Sequence, residues 1–141
     1  KKDVVYTYYD DLAVMAKDCD VLICITPGGP STNKIVDAKV MEALGPQGTL
    51  INVSRGSVVD ETAMIDALQS GKLGWAGLDV FEAEPKVPQA LRDLPNTVLL
   101  PHVGSGTVET RAAMGALTVD NLLQHLKDGS VISAVPECAD L

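Results

Sequence analysis

Four short apolar runs, interleaved with stretches of helical spacing, constrain the fold of this 141-residue chain more than any other feature. They are VLICI (Val21 to Ile25), TLINV (Thr49 to Val53), WAGLDV (Trp75 to Val80) and TVLL (Thr97 to Leu100). The spacing predicts helices over Asp10 to Asp18, Lys34 to Leu44, Glu61 to Ser70 and Thr107 to Lys127. One further helical turn is expected near Gln89 to Asp93, inside a proline-rich stretch. The punctuation agrees: Pro27-Gly28-Gly29-Pro30 stops the first run and Gly45-Pro46 ends the second helix, while Asp60 is placed to cap the third and Gly71 to close it. Runs without period-two alternation belong to strands buried on both faces, and such strands alternating with helices build a parallel sheet. The expected fold class is therefore α/β.

Composition removes several classes of partner. The formal net charge is −8 and no basic run exceeds the Lys1-Lys2 pair, so neither nucleic acid nor an anionic membrane surface is an expected partner. No apolar stretch approaches the length of a membrane span, and the first residues carry no signal-peptide hydrophobic region. The chain begins without Met, which leads to the expectation that it is a piece of something longer. Cys19, Cys24 and Cys138 are odd in number and show no CxxC spacing, as expected of free thiols in a reducing, cytoplasmic setting.

A parallel sheet also says where to look for a site, because ligands bind outside the carboxyl ends of its strands. The first run ends at Thr26-Pro27-Gly28 and the second at Ser54-Arg55-Gly56. The third ends at Asp79, followed by Glu82 and Glu84, and the fourth at Pro101-His102, followed by Gly104-Ser105-Gly106. Taken singly, Arg55 reads as a loop cation, His102 as a hydrogen-bonded structural residue and Glu84 as a solvated turn residue. Asp79 is harder to set aside, since a carboxylate that interrupts an apolar strand end needs a partner. On one rim they make a chemistry. A guanidinium holds a carboxylate bidentately, a histidine moves a proton near neutral pH, and a carboxylate beside it stabilises the imidazolium. Reduction of a 2-keto acid needs those three roles, with the hydride supplied by something else.

Competing readings rest on thinner patterns. Asp79, Glu82 and Glu84 could hold a hard cation, but their spacing is not that of an EF-hand, and no metal is expected. Ser54, Ser57 and Ser105 lie in glycine-rich loops without a G-x-S-x-G elbow. GSGTVE resembles an anion-binding loop at a helix start, yet it is neither G-x-G-x-x-G nor a P-loop.

Three motifs in order, NVSRGSVVDE, GLDVFEAEP and PHVGSGT, resemble the D-2-hydroxyacid dehydrogenases. TPGGPST and LPHVGSGTVETR are most similar to the glyoxylate/hydroxypyruvate reductase branch, including plant-type hydroxyphenylpyruvate reductases. The resemblance reaches to about Pro136. It implies the second half of a doubly wound, Rossmann-like NAD(P)-binding domain over residues 1–128, with 129–141 as a tail returning toward a substrate domain. Val4 to Tyr6 would be the third strand of that domain, and Val21 to Ile25 the fourth, with one edge left open here. Arg55 would bind the substrate carboxylate, His102 would be the acid–base residue, and Glu84 would pair with His102. Asp79 would contact the nicotinamide carboxamide. Pro27, Val53, Ser54, Gly104 and Ser105 would line the cofactor, as would Arg55 and His102 where they meet it. The resemblance implies NADP or NAD, with NADPH favoured, a small 2-keto acid substrate and a homodimer. The family's G-x-G-x-x-G turn and ribose-reading residue have no counterpart in this sequence, so the chain alone is expected to be inactive. A nucleotide-sensing co-repressor scaffold of the C-terminal-binding-protein type is the alternative, since such proteins share these motifs.

Overall fold

The computed structural model describes residues 5–135. The chain divides into two compact units, Lys1–Gly104 and Ser105–Leu141. This split lies before the long helix, whereas the expected organisation, 1–128 and 129–141, divides the chain after it.

The first unit is a four-stranded parallel sheet in the order β1-β2-β3-β4, with β1 Val21–Cys24, β2 Thr49–Asn52, β3 Trp75–Leu78 and β4 Thr97–Leu99. Helices α1 (Leu12–Lys17), α2 (Ala38–Leu44), α3 (Glu61–Ser70) and the short α4 (Gln89–Arg92) connect them. Each of the first three starts where an aspartate accepts the otherwise unpaired amides of the first turn. Asp11 takes Ala13 N and Val14 N, Asp37 takes Lys39 N and Val40 N, and Asp60 takes Ala63 N. Gly71 ends α3 in the left-handed conformation at φ 73°, which glycine adopts without steric cost.

Two expectations are corrected. The second helix begins at Ala38, not Lys34. Lys34 sits at φ 52°, and Val36 is extended, bridged to Val59 by the Val36 N–Val58 O and Asp60 N–Val36 O bonds. Those residues belong to the edge of the following loop, and the cap at Asp37 decides the start. The strands are also buried on one face, not two. Leu22 and Cys24 face the core while Val21 is 48% and Ile23 54% exposed. On β3, Ala76 and Leu78 are buried while Trp75 is exposed. The buried side packs with Ala16, Val40, Met41, Leu44, Met64 and Leu68, the inward residues of α1, α2 and α3. No such helical layer covers the other side among the described residues of this unit. Period-two alternation was invisible in the sequence because the uncovered side is apolar as well.

Strand β1 pairs only with β2 among the described residues, so its outer edge is open, as the resemblance implied. Val4 lies outside the described residues, and Val5 and Tyr6 form no strand, there being no described neighbour to pair with.

The second unit is dominated by α5, Val108–Asp128, capped by the Thr107 hydroxyl and closed by Gly129 at φ 80°. The Asn121 side chain accepts the amides of Ile132 and Ser133, folding the following segment back along the helix.

Candidate active site

The site grows from the carboxyl ends of the four strands. Strand β2 ends in Asn52, a polar residue only 1% exposed. Its Oδ1 accepts both the amide and the hydroxyl of Ser54, at 3.0 and 2.9 Å, and its Nδ2 donates to Arg55 O at 3.0 Å. A buried amide with all these partners fixes the turn that carries Arg55. The guanidinium is steadied in turn, with Nη1 donating to Ser54 O at 2.6 Å. Gly28, from the loop after β1, lies against the stem of the arginine: a Cβ there would come within 2.9 Å of Arg55 Cγ. Gly56 is tighter still, since a Cβ on it would fall inside the backbone of Phe81 and Glu82. The arginine turn and the loop after β3 are therefore in backbone contact.

That loop begins at Asp79, which is buried. Its amide donates to Asn52 O, tying it to β2. Its two carboxylate oxygens accept Val103 N and Gly104 N, each at 2.8 Å. This holds the segment after β4 and places His102 at φ 56°, a left-handed conformation that a non-glycine residue keeps only when its surroundings impose it. The ring Nδ1 of His102 meets Glu84 Oε2 at 2.8 Å, and Glu84 Oε1 accepts Phe81 N at 2.9 Å. The hydrogen bond from His102, and then the one from Phe81, hold the Glu84 carboxyl below the usual glutamate range, against a smaller opposing effect of burial.

These loops enclose an open cleft of about 1000 Å³. Pro27, Val53, Ser54, Arg55, Glu84 and His102 all line it, so the structure brings together the three residues expected to be catalytic and part of the expected cofactor wall. Asp79 and Gly104 sit beneath the His102 loop, bonded to each other, and Ser105 opens the second unit. The walls fit the nicotinamide end of a dinucleotide: exposed Ile25 and Val53 offer apolar surface for a flat ring, beside a cation and an imidazole whose Nε2 is not used by Glu84. Among the described residues no group of three or more His, Cys, Asp or Glu side chains could hold a metal ion.

Residues 1–104 match the family described as D-isomer specific 2-hydroxyacid dehydrogenase, NAD binding domain. This chain belongs to that family. Its dehydrogenase relatives include hydroxyphenylpyruvate reductase of Plectranthus scutellarioides, 49% identical over 135 residues. Glyoxylate/hydroxypyruvate reductase A of Arabidopsis thaliana is 52% identical over 135 residues. Each alignment covers 96% of this chain and 43% of the relative, so the chain spans about two fifths of their length. Among solved dehydrogenases, the NADPH-dependent glyoxylate/hydroxypyruvate reductase of Sinorhizobium meliloti, in complex with NADP and malonate, superposes with a TM-score of 0.94 at 52% identity. That match covers 97% of this chain and 43% of the other. The Rossmann-like assignment and the likeness to the glyoxylate/hydroxypyruvate reductase branch both stand.

Sequence reasoning passed over Asn52 and Gly56. A signal existed for the first: an asparagine as the last residue of an otherwise apolar strand needs partners if buried. Nothing in the sequence showed that Gly56 touches a loop some 25 residues away.

Proposed function

We propose that the protein carrying this chain reduces a small 2-keto acid, glyoxylate or hydroxypyruvate, using NADPH in preference to NADH. The observation that carries this reading is the placement of Arg55 and the Glu84–His102 pair around one cleft at the strand ends. Arg55 offers a fork of donors suited to a carboxylate. With Nδ1 committed to Glu84, His102 presents Nε2 to the substrate and gives a proton to the keto oxygen there. Glu84 stabilises the imidazolium and fixes the ring's orientation. Pro27, Val53, Ser54, Gly104 and Ser105 line the cofactor, and Asp79 meets the nicotinamide carboxamide while holding the His102 loop. The nicotinamide, when bound, supplies the hydride. The relatives' names and the NADP complex support the substrate class and cofactor preference. The same reading makes the protein a cytoplasmic homodimer; the free thiols Cys19 and Cys24 suit a reducing compartment, and Cys138 lies outside the described residues.

Steady-state kinetics on the full-length protein test the roles. His102→Gln is expected to cut turnover of hydroxypyruvate by about 10²–10⁴-fold while leaving cofactor binding nearly intact. Arg55→Lys keeps the charge but loses the fork, so KM rises strongly and turnover falls as well. Near-normal turnover in His102→Gln overturns the assignment.

A further inference from the structure

Glu61 is the first residue of α3 and is only 8% exposed. An acid at this position has an ordinary purpose, since the positive end of a helix favours a carboxylate. That purpose does not require burial, and carboxylates are rarely buried without a partner. The partner here lies 21 residues away: Oε2 of Glu61 accepts the amide of Glu82 at 3.1 Å.

Glu82 stands between the two ends of the turn that presents Glu84. On one side Phe81 N donates to Glu84 Oε1, and on the other Glu84 reaches His102. The same backbone segment packs against Gly56, the neighbour of Arg55. Lys34 reaches the Glu82 side chain at 3.6 Å, but that pair is well exposed and holds it weakly. Lys34 also reaches Asp60, the cap of α3, at 3.6 Å, so the half-buried bond from the Glu82 amide to Glu61 is the better shielded of two ties between the Phe81–Glu84 turn and the start of α3.

We propose that Glu61 is a positioning residue, whose carboxylate, by holding the Glu82 amide, sets the turn that aims Glu84 at His102 and keeps both in register with Arg55. Its catalytic consequence rests on the reductase reading; its structural consequence does not.

The test separates anchoring from the helix-end role. Glu61→Asp keeps the charge at the start of α3 but withdraws the carboxylate by a methylene. Glu61→Gln removes the charge but keeps an oxygen at the same reach. In the full-length protein labelled with [5-¹³C]glutamate, carbon-13 NMR follows the titration of Glu84, and kinetics with hydroxypyruvate follow turnover. Anchoring predicts that Glu61→Asp moves the Glu84 titration up toward the ordinary glutamate range. It also lowers kcat roughly 10- to 100-fold, the scale of a displacement of about 1 Å. Glu61→Gln restores both. A silent Glu61→Asp, or a Glu61→Gln that is the more damaging of the two, overturns the proposal. Should Glu61→Asp fail to fold, Glu61→Gln decides alone, because a helix-end role loses with the charge and an anchor does not. If the wild type turns over no 2-keto acid while Glu84 still responds to Glu61, the reductase reading fails and the positioning role stands.

Discussion

Glu84 binds two partners at once, Phe81 N through one oxygen and the His102 ring through the other. Both bonds favour its ionised form, so its folded titration lies below that of the unfolded chain. The linked stability is present above the unfolded glutamate value, near 4.3, and is lost as pH falls through the lower folded value. Wild type is therefore expected to be more stable than Glu84→Gln at pH 7, with the difference closing below roughly pH 4. Chemical denaturation at both pH values checks this, and a gap that persists in acid would show that Glu84 contributes by packing. The effect is small, because the side chain is 35% exposed and water screens the pair. The convergence of Arg55, Glu84 and His102 on one cleft was legible in the sequence because each follows a strand end, where side-chain chemistry stands out against apolar runs. Asn52 left only the faint signal of a polar residue ending an apolar strand, and Glu61 left none, because its partner is a backbone amide 21 residues away, which carries no signature in a sequence.

At the scale of elements, starts and stops were read where a side chain closes its own local bonds. Asp60 and Gly71 act where capping chemistry places them, and Thr107, expected as the first residue of the long helix, caps it instead. The start of α2 was misplaced because Ile35 and Val36 continue a helical spacing, although Val36 is engaged by Val58 and Asp60 instead. Asp37→Ala should cost about 0.5–2 kcal/mol, as other N-cap deletions do, and thermal unfolding reads it. Lys34→Ala, placed inside the helix by the sequence pattern but outside it here, should change helicity little. Gly56→Ala belongs to this scale too, since its Cβ would force apart the loops after β2 and β3. A loss of about 1–3 kcal/mol in denaturant unfolding is expected, with turnover lost beyond what that instability explains. Stability and activity both near wild type would show the loops yielding without consequence.

At the scale of the whole molecule, the class of fold was evident from the alternation of runs, whereas the lack of a second helical layer among the described residues of the first unit was not. A sheet covered on one side and one covered on both read alike when both sides are apolar, as Ile23, Val53, Trp75 and Val98 make them here. The open edge of β1 has its own consequence. In a parallel ladder the N–H and C=O of one residue point to the same neighbour, and successive residues alternate. Asp20 O and Cys24 O receive Thr49 N and Val53 N, so the even-numbered positions face β2. The amides of Val21 and Ile23 therefore point outward from the sheet. In deuterated water the chain of these 141 residues should exchange hydrogen along β1 with a two-residue beat: quickly at Val21 and Ile23, slowly at Leu22 and Cys24. Strands β2 and β3, flanked on both sides, should show no beat at all. Uniform protection along β1 would mean that in solution another strand already lies beside it.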